Sequence, residues 1–389
     1  MTVAANERGI ALVITLLVVA LLTITVVEFT YSVEVDQHMA HNALSNLQAS
    51  LLARSGVNLG EALLLHDDDP QVDAYTEDWG QSEQINSLLV VPPNMRLRVL
   101  IIDESGKLNI NLTRPRTINQ WRVAQMANPS APPQLFQSWA AAIGQLLTAR
   151  GGTPEIDNNI NTYWNLVFQA NFGPANPVPG ATSTSAASPT PNGTQMINPL
   201  LLDFASIDDA SVIPGLTPSL IRRARPALTA LDSNRQPVVN ANTAPREVLE
   251  AIIPDSGLVD NIIAQRQEQG LKQSDVMALL AGLNTQDPNV RNVRSMLGVR
   301  SSYFLVRASA VVNPNPITGR GGVSRTASML VRRDPRPGVP PQAPPGTPRW
   351  TLTQLDWQKE GGAALFQQRT DQDSGLDDPS NQMPPGMGG

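Results

Sequence analysis

Few side chains in this chain could take part in chemistry. The sequence has no cysteine and three histidines, His38, His41 and His66. The lack of cysteine excludes disulfides, thiol catalysis and cysteine-ligated metal sites. His38 and His41 share one face of a helix and could ligate a metal, but exposed histidines at this spacing are more often solvated surface. The stretch Asp67-Asp68-Asp69 is most simply a loop that ends a helix, with contact to Ca²⁺ as the alternative; its spacing does not match an EF-hand.

Catalytic motifs are missing from the sequence as well. No nucleophile elbow, zinc-protease helix or phosphate-binding loop occurs in the 389 residues. The formal net charge of −6 disfavours nucleic acid or anionic lipid as the main partner. We therefore expect a structural protein rather than an enzyme.

The N-terminus carries the strongest functional signal. Arg8-Gly9 precedes 18 uncharged residues, from Ile10 to Val27, which as a helix would span about 27 Å. Arg8 places the N-terminus in the cytoplasm by the positive-inside rule. No small-x-small cleavage site follows the apolar run, so the segment is retained as a membrane anchor. A generic signal anchor remains an alternative at this point.

The pattern after the anchor predicts a long helix and a small head. No proline occurs before Pro70, and apolar residues recur at helical spacing, so we expect one helix over residues 10–65. The positions that define this apolar pattern are Val33, Met39, Ala40, Ala43, Leu44, Leu47, Leu51, Leu52 and Val57. Residues 96–102 and 107–112 alternate around Asp103-Glu-Ser-Gly106 and predict a β-hairpin. Further strands are expected at residues 303–312, 323–332 and 350–357.

Helical patterns separate these strand sets, so an inserted helical domain is the simplest topology. Helices are expected at residues 135–148 and 161–168, and again from residue 213. The most specific segment runs from Val239 to Ile252, where Asn240, Asn242, Thr243, Pro245 and Leu249 form the insert motif. Thr243 is predicted to cap a helix with Pro245 in its first turn. Two more helices should follow, one after Pro254-Asp-Ser-Gly257 and one from Ser274 or Asp275.

The insert is similar to helix-hairpin-helix modules, many of which bind DNA. Such binding needs a glycine-rich turn with free amides and nearby cations. Residues 240–300 offer Gly257 alone in that turn, and six Lys or Arg against seven Asp or Glu. We therefore expect the fold of these modules without nucleic-acid binding.

The leader resembles that of type IV pilin-like precursors. By this resemblance prepilin peptidase cuts after Gly9, and Ile10 becomes an N-methylated N-terminus. The membrane and filament helix would then use Ile10, Ile14, Leu17, Leu21 and Val27. Most relatives carry glutamate at the fifth mature position, where this chain has Ile14. A subunit with no neighbour above it gains by lacking a carboxylate in the bilayer, which favours a place at the filament tip.

The whole chain resembles general secretion pathway protein K, the large minor pseudopilin family of type II secretion systems. The matching segments, in the family's order over roughly residues 8 to 333, are Arg8-Gly9 with its apolar run, residues 102–111, residues 213–216, residues 239–249 and residues 300–305. The resemblance implies an inner-membrane protein with a single span and a periplasmic head that caps the pseudopilus. It implies as partners the minor pseudopilins I and J, the major pseudopilin, the inner-membrane assembly platform and the outer-membrane secretin. The resemblance implies no required cofactor; members of the family can bind calcium in the head, and no ligands are assigned for it.

The expected fold class is therefore α+β: a pilin-like N-terminal helix on a small antiparallel sheet, with a large inserted all-helical domain. The predicted divisions are leader 1–9, helix 10–66 with 10–27 in the membrane, head 67–115 and 299–357, insert 116–298 with a mobile loop at 173–194, Pro-rich linker 334–349 and disordered tail 358–389. Residues 161–164 and the long 173–194 excursion depart from the family pattern. A minor pilin of a type IV pilus and a membrane-anchored scaffold outside any filament are the alternative functions.

Overall fold

The computed structural model of the chain describes residues 4–67, 69, 71–114, 134–172, 203–283, 292–314, 321–340, 347 and 349–361. The predicted mobile loop 173–194 lies outside the described residues. So do residues 1–3 of the predicted leader and residues 362–389 of the predicted tail.

The described chain contains nine helices and eight strands. Their order is α1 (Ala4–Leu65), α2 (Ser82–Leu88), β1 (Met95–Asp103), β2 (Leu108–Asn109), α3 (Gln134–Ala149), α4 (Ile156–Phe172), α5 (Pro218–Ala224), β3 (Leu228–Thr229), β4 (Val239–Asn240), α6 (Arg246–Ile252), α7 (Ser256–Glu268), α8 (Gln273–Leu279), α9 (Val293–Met296), β5 (Leu297–Gly298), β6 (Tyr303–Val312), β7 (Val323–Pro335) and β8 (Trp350–Gly361). Short 3₁₀ turns occupy Glu104–Gly106, Ile110–Thr113, Ile207–Val212 and Leu280–Gly282.

Helix α1 is a single rod of 62 residues. Without an internal proline its backbone hydrogen bonds continue uninterrupted, and its rise gives a length of about 93 Å. The single helix expected over residues 10–65 is confirmed. The rod begins at Ala4, so residues 4–9 of the predicted leader are helical in the uncut chain.

Small residues of α1 face the sheet. The buried positions are Ser45, Ala49, Ala53, Gly56, Val57, Gly60 and Leu64. A Cβ on Gly60 would lie 2.4 Å from Cγ1 of Val306, so only glycine lets the helix approach β6 this closely. Leu44, Leu47 and Leu51, which were predicted on the same stripe as Val57, are more than half exposed. The predicted stripe therefore joins two different faces of α1.

The head sheet has four antiparallel strands in the order β1, β6, β7, β8. Strand β7 extends to Pro335, inside the predicted linker, and Pro335 lies opposite Trp350 in the sheet. Strand β8 extends to Gly361, so the prediction of disorder from residue 358 is wrong for its first four residues. Strand β8 pairs antiparallel with β7 from Arg325 to Pro335, so residues 358–361 are part of the sheet.

The predicted β-hairpin around Asp103-Glu-Ser-Gly106 is wrong. Strand β1 pairs with β6 instead, with Met95 opposite Val312 and Asp103 opposite Phe304. After the 3₁₀ turn, β2 pairs in parallel with β3 in the insert. Apolar and polar residues alternate over 107–112, but this does not mark a half-exposed strand, because the polar positions are buried as well as the apolar ones. Asn109 and Asn111 each donate from Nδ2 to the carbonyl of Leu231, at 3.0 Å.

The insert and the head have separate hydrophobic cores. One core joins α1 to the sheet through residues such as Val57, Ile101 and Val306. The other lies within the insert and takes in residues 108–112 together with α3 to α9. Helices α3, α4, α7 and α8 occupy the stretches where helices were expected. The described chain is an α+β fold with a long N-terminal helix, an antiparallel sheet and a helical insert.

Candidate functional site

The apolar part of α1 satisfies its own polar groups. The hydroxyls of Thr15, Thr23 and Thr25 donate to carbonyls one turn earlier, Leu12, Val19 and Leu21, at 2.8, 2.8 and 2.9 Å. A helix in lipid must satisfy its polar groups internally, and these threonines do so. Among the described residues, α1 is the one helix long and apolar enough to cross a membrane. One such helix near an N-terminus could be a membrane anchor.

The predicted filament residues lie on that exposed part of the rod. Ile10, Ile14, Leu17, Leu21 and Val27 are all exposed, since the head begins to cover α1 only at Ser45. Gly9 lies within the helical backbone of α1. Cleavage after Gly9 and methylation of Ile10 stay predictions.

The sequence motifs of the resemblance meet at one buried carboxylate, Asp103, where the head joins the insert. Its Oδ2 accepts from the hydroxyls of Thr243 and Ser301, both at 2.5 Å, and from Nδ2 of Asn240 at 3.1 Å. Its Oδ1 accepts from the amide of Ser105 at 2.8 Å. We call Asp103 with these four donors the Asp103 network. Three segments far apart in sequence are thus tied to one side chain.

Burial raises the pKa of Asp103 to about 6, and the hydrogen bonds from Ser301 and Thr243 oppose that shift. All the donors are neutral groups, so they stabilise the carboxylate without a counter-charge. Such a buried group holds its neighbours in place because any donor that moves away is left unsatisfied. The Asp103 network is therefore suited to positioning the insert on the head.

The two asparagines of the insert motif hold loops together. Asn240 donates also to the carbonyl of Asp73 at 2.9 Å. Asn242 binds the backbone of Leu271 in both directions, donating from Nδ2 at 3.0 Å and accepting the Leu271 amide at 2.9 Å. Leu249 is fully buried in the insert core.

The predicted role of Thr243 as a helix cap is wrong. Helix α6 begins at Arg246, with Pro245 at its N-cap position and no side-chain cap. The hydroxyl of Thr243 donates to the Asp103 carboxylate, and its oxygen does not accept from an amide at the start of α6. The motif thus serves the junction rather than the start of the helix.

A second group of buried charges lies beside this network and was not predicted. Arg333 on β7 donates from Nη1 to Asp67 at 2.5 Å and from Nη2 to Asp73. Asp73 also accepts the amide of Ser301 at 2.7 Å, so it touches the Asp103 network. Glu77 lies near, with Oε2 accepting from Nε1 of Trp79 at 2.6 Å and from the amide of Ala74 at 3.2 Å. We call Asp67, Asp73, Glu77 and Arg333 the Arg333 cluster.

Burial dominates the electrostatics of this cluster. It raises the pKa of Glu77 to about 8, helped by the neighbouring charge of Asp67. It raises the pKa of Asp67 to about 6 and also raises that of Asp73, while Arg333 opposes both shifts. Three carboxylates and one guanidinium thus share a site that is largely removed from solvent.

The calcium ion that the resemblance allows can be tested against these carboxylates. Ligand oxygens of Asp67, Asp73 and Glu77 lie within 4.8 Å of one another. Calcium takes six to eight oxygen ligands. Here Asp67 and Asp73 are already bound to Arg333, a cation that is itself buried. The cluster as it stands does not fit a calcium ion.

The residues considered for other chemistry do not come together in the described chain. His38 and His41 lie on α1, and His38 has Glu34 at 4.0 Å, a pair in which both side chains are exposed. Neither histidine belongs to a group of three metal-ligand side chains among the described residues. At the turn into α7, the amides of Gly257 and Leu258 are bound by Asp255 at 2.9 and 3.2 Å. Those amides are not free to bind a phosphate, which disfavours DNA binding.

A cleft of about 1250 Å³ separates the insert from the face of the sheet that α1 leaves uncovered. Its lining includes two ion pairs, Lys107 with Glu104 and Arg114 with Asp203. Four further arginines and two further aspartates also line the cleft, so these two pairs account for only part of its charge: Arg222, Arg225, Arg307, Arg332, Asp232 and Asp356.

Comparison with known proteins gives two findings. Residues 239–300 match the family described as type II secretion system protein K. Among solved structures, one chain from the GspK–GspI–GspJ complex of the type 2 secretion system of enterotoxigenic Escherichia coli is similar. Its TM-score is 0.52 at 16% sequence identity, over 83% of this chain and 100% of that chain. No curated protein sequence matches the chain.

The matched residues 239–300 include the whole insert motif and the short strand β5 that precedes Ser301. At 16% identity the structural likeness shows a shared fold. The family model thus confirms the resemblance to protein K of the type II secretion system over residues 239–300, and the fold is shared over most of the chain.

Proposed function

We propose that this chain is a minor pseudopilin that caps the tip of the type II secretion pseudopilus, initiates its assembly and so helps to export folded proteins. One observation carries the proposal: the insert joins the head at the end of the sheet that lies farthest from the apolar part of α1. A subunit with a bulky domain at that end obstructs the addition of another subunit above it.

The two ends of the sheet are identified by their contacts with α1 and with the loop after it. Near the apolar part of the rod, Asn313 after β6 donates to the hydroxyl of Ser45 at 3.1 Å. Asn94 before β1 donates to Asn313 at 3.1 Å. At the other end, Ser301 before β6 donates to Asp73, beyond the end of α1. These ends are about 30 Å apart along the rod, and the insert leaves and returns at the far one.

The free face of α1 supports packing between subunits. Leu44, Leu47 and Leu51 form an exposed apolar row above the membrane segment, on a helix whose small residues face the head. Exposed apolar rows of this kind mark interaction surfaces. We infer that this face receives the helices of the minor pseudopilins I and J. The Escherichia coli structure contains GspK in a complex with GspI and GspJ, which is consistent with that pairing.

Ile14 supports a place at the tip. A carboxylate in the bilayer is costly unless a neighbouring charge pairs with it. A tip subunit has no neighbour above to supply that charge, and an isoleucine avoids the cost. The remaining subunits of the filament, those of the major pseudopilin, would lie below this chain.

The orientation and processing belong to the same proposal. Arg8 places the N-terminus in the cytoplasm, where prepilin peptidase would cut after Gly9 and Ile10 would be methylated. The chain would then be an inner-membrane protein with a single span, and its head would lie in the periplasm. From there it would connect the assembly platform to the outer-membrane secretin. No catalytic role is proposed.

The test compares the wild type with Gly9→Val, and with Ala4→Val as a control that adds the same side chain elsewhere in the leader. We expect mass spectrometry to find a wild-type and Ala4→Val chain that begins at Ile10 and an uncut Gly9→Val chain that fails to support secretion. A wild-type chain that begins at Met1 or Thr2 would favour a non-filament scaffold.

Filament length tests the tip position. In cells that overproduce the major pseudopilin, extra copies of a cap should shorten the filaments, since each copy ends one. Filaments whose length is independent of the amount of this chain would contradict capping. Assembly with a type IV pilus in place of the pseudopilus would favour the minor-pilin alternative.

A further inference from the structure

We propose that Arg333 is the built-in counter-ion of the Arg333 cluster, so that the cluster takes no calcium and the junction between head and insert is stable without it. This inference goes beyond the proposed function and does not depend on it. It excludes calcium from the one group of three metal-ligand side chains found among the described residues.

Arg333 is held on all sides. Its side chain is fully buried, and its guanidinium contacts Asp67 and Asp73. Its Cζ lies 4.7 Å from the centroid of Phe304 and 4.2 Å from that of Trp350, so the planar group is flanked by two aromatic rings. An arginine stays charged in such a place because its pKa is too high to lose the proton. The cluster therefore contains a permanent cation.

The carboxylates of the cluster already have donors in the protein. Asp67 and Asp73 use one oxygen each for Arg333, and Asp73 uses the other for the amide of Ser301. Glu77 accepts from Trp79 and Ala74. A calcium ion would have to displace these donors and leave the buried guanidinium without a partner, which is strongly unfavourable. The arrangement therefore excludes the ion while Arg333 is in place.

The cluster connects every part of the junction. Arg333 belongs to the sheet, Asp67 and Asp73 follow α1, and the carbonyl of Asp73 accepts from Asn240 of the insert. Trp350 at the start of β8 donates from Nε1 to the carbonyl of Asp67 at 2.9 Å. A divalent ion often ties such segments together by its ligands. Here one guanidinium and the two rings do the same.

Arg333 has one unsatisfied group. Its Nε is buried without a hydrogen-bond partner among the described residues. The stacking of the guanidinium between Phe304 and Trp350 offsets part of this cost. The orientation of the Arg333 guanidinium is thus set by the two carboxylates and the two aromatic rings, and not by hydrogen bonds from all five of its N–H groups.

The experiment measures the melting temperature of the detergent-solubilised full chain by tryptophan fluorescence, in excess EDTA and in millimolar CaCl₂. We expect the same wild-type value in both. Arg333→Met should melt at least ~5 °C lower than Arg332→Met in EDTA, because it leaves two buried carboxylates without a counter-ion. Arg332 is a matched control, since it is the neighbouring residue on β7 and pairs with the less buried Asp334.

Calcium should raise the melting temperature of Arg333→Met, because removal of the guanidinium frees the carboxylates for a divalent ion. A calcium-dependent rise in the wild type that Glu77→Gln abolishes would overturn the proposal. Direct titration of the wild type with Ca²⁺ keeps the test decisive if Arg333→Met fails to fold. Binding that Glu77→Gln removes would again overturn it, and no binding, or binding that Glu77→Gln leaves intact, would support it.

Discussion

Two buried aspartates at the junction between head and insert are stabilised in opposite ways. Asp103 accepts hydrogen bonds from neutral groups, two hydroxyls among them. Asp73 is paired with the Arg333 guanidinium and accepts one backbone amide. The two carboxylates share Ser301 as a partner, which donates its amide to Asp73 and its hydroxyl to Asp103. The comparison therefore separates two means of satisfying a buried charge within a single site.

The difference lies in what each network loses when one member is removed. A neutral donor that loses its carboxylate leaves a dipole unsatisfied, at a cost of about 1–3 kcal/mol. A buried guanidinium that loses a carboxylate leaves an uncompensated charge, at about 3–5 kcal/mol. Burial also raises the pKa of both aspartates, so ionising either one already has an energetic cost. The charged network should be the more fragile of the two.

The largest expected effect comes from applying the same substitution to both networks. Asp73→Ala should lower the free energy of unfolding by about 3 kcal/mol, the lower end of the cost of breaking a buried ion pair, because Arg333 keeps Asp67 as its remaining partner. Asp103→Ala should lower it by about 2 kcal/mol, because the lost hydrogen bonds are partly offset by relief of an unfavourable buried charge. Denaturant unfolding followed by tryptophan fluorescence measures both.

Asp260→Ala serves as the control, because it removes a surface carboxylate that pairs with Arg246 while both side chains remain about half exposed. Exposed pairs of this kind contribute about 0–1 kcal/mol. Equal losses for Asp73→Ala and Asp103→Ala would show that the guanidinium confers no special fragility and would end the comparison.

The segments that form the neutral Asp103 network could be identified from the sequence. Asp103, Asn240 and Thr243 fall in contiguous segments with marked composition, and those segments carried the family resemblance. The roles of their side chains could not be predicted from these segments. Thr243 has the residue type of a helix cap, but it serves a carboxylate 140 positions earlier in the chain, and no local pattern indicates such a partner.

The charged network could not be found from local pattern. Arg333 and Asp73 are 260 positions apart and neither lies in a recognisable motif. The β-hairpin prediction was wrong for the same reason, since β1 pairs with β6 about 200 positions later in the chain. Long helices such as α1 follow from uninterrupted periodicity, and the strands β6 and β7 from alternation. Strand partners and ion pairs depend on which distant segments come together in the folded chain. The strand period of two residues and the helix period of 3.6 residues carry no information about that.

Stability should fall with rising pH, with Asp103 and Asp67 contributing up to about pH 6 and Glu77 up to about pH 8. Glu77 has a folded pKa of about 8 against an ordinary 4.5, so folding takes up a proton between these values and stability is lost as the pH rises through them. Asp103 has a folded pKa of about 6 against 3.8, so its contribution ends near pH 6. The free energy of unfolding, measured from about pH 5 to about pH 8, tests this.

Glu77→Gln should flatten the decline above about pH 6, and Asp103→Asn should flatten only the part below it. Glu77 is partly exposed, so solvent screening will make its slope smaller than that of a fully buried proton site. A decline above pH 6 that survives Glu77→Gln would assign the proton to another group of the Arg333 cluster.

The smallest expected effect concerns the hydroxyl of Thr243. Thr243→Val should cost about 1 kcal/mol by removing one hydrogen bond to Asp103, and Thr217→Val should cost about as much because Thr217 caps α5 by accepting the Leu220 amide at 3.3 Å. The two variants differ in their coupling to Asp103→Ala. A double-mutant cycle should be non-additive for Thr243→Val and additive for Thr217→Val, since only Thr243 contacts the carboxylate. Additivity in both cycles would return Thr243 to a purely local role and remove it from the Asp103 network.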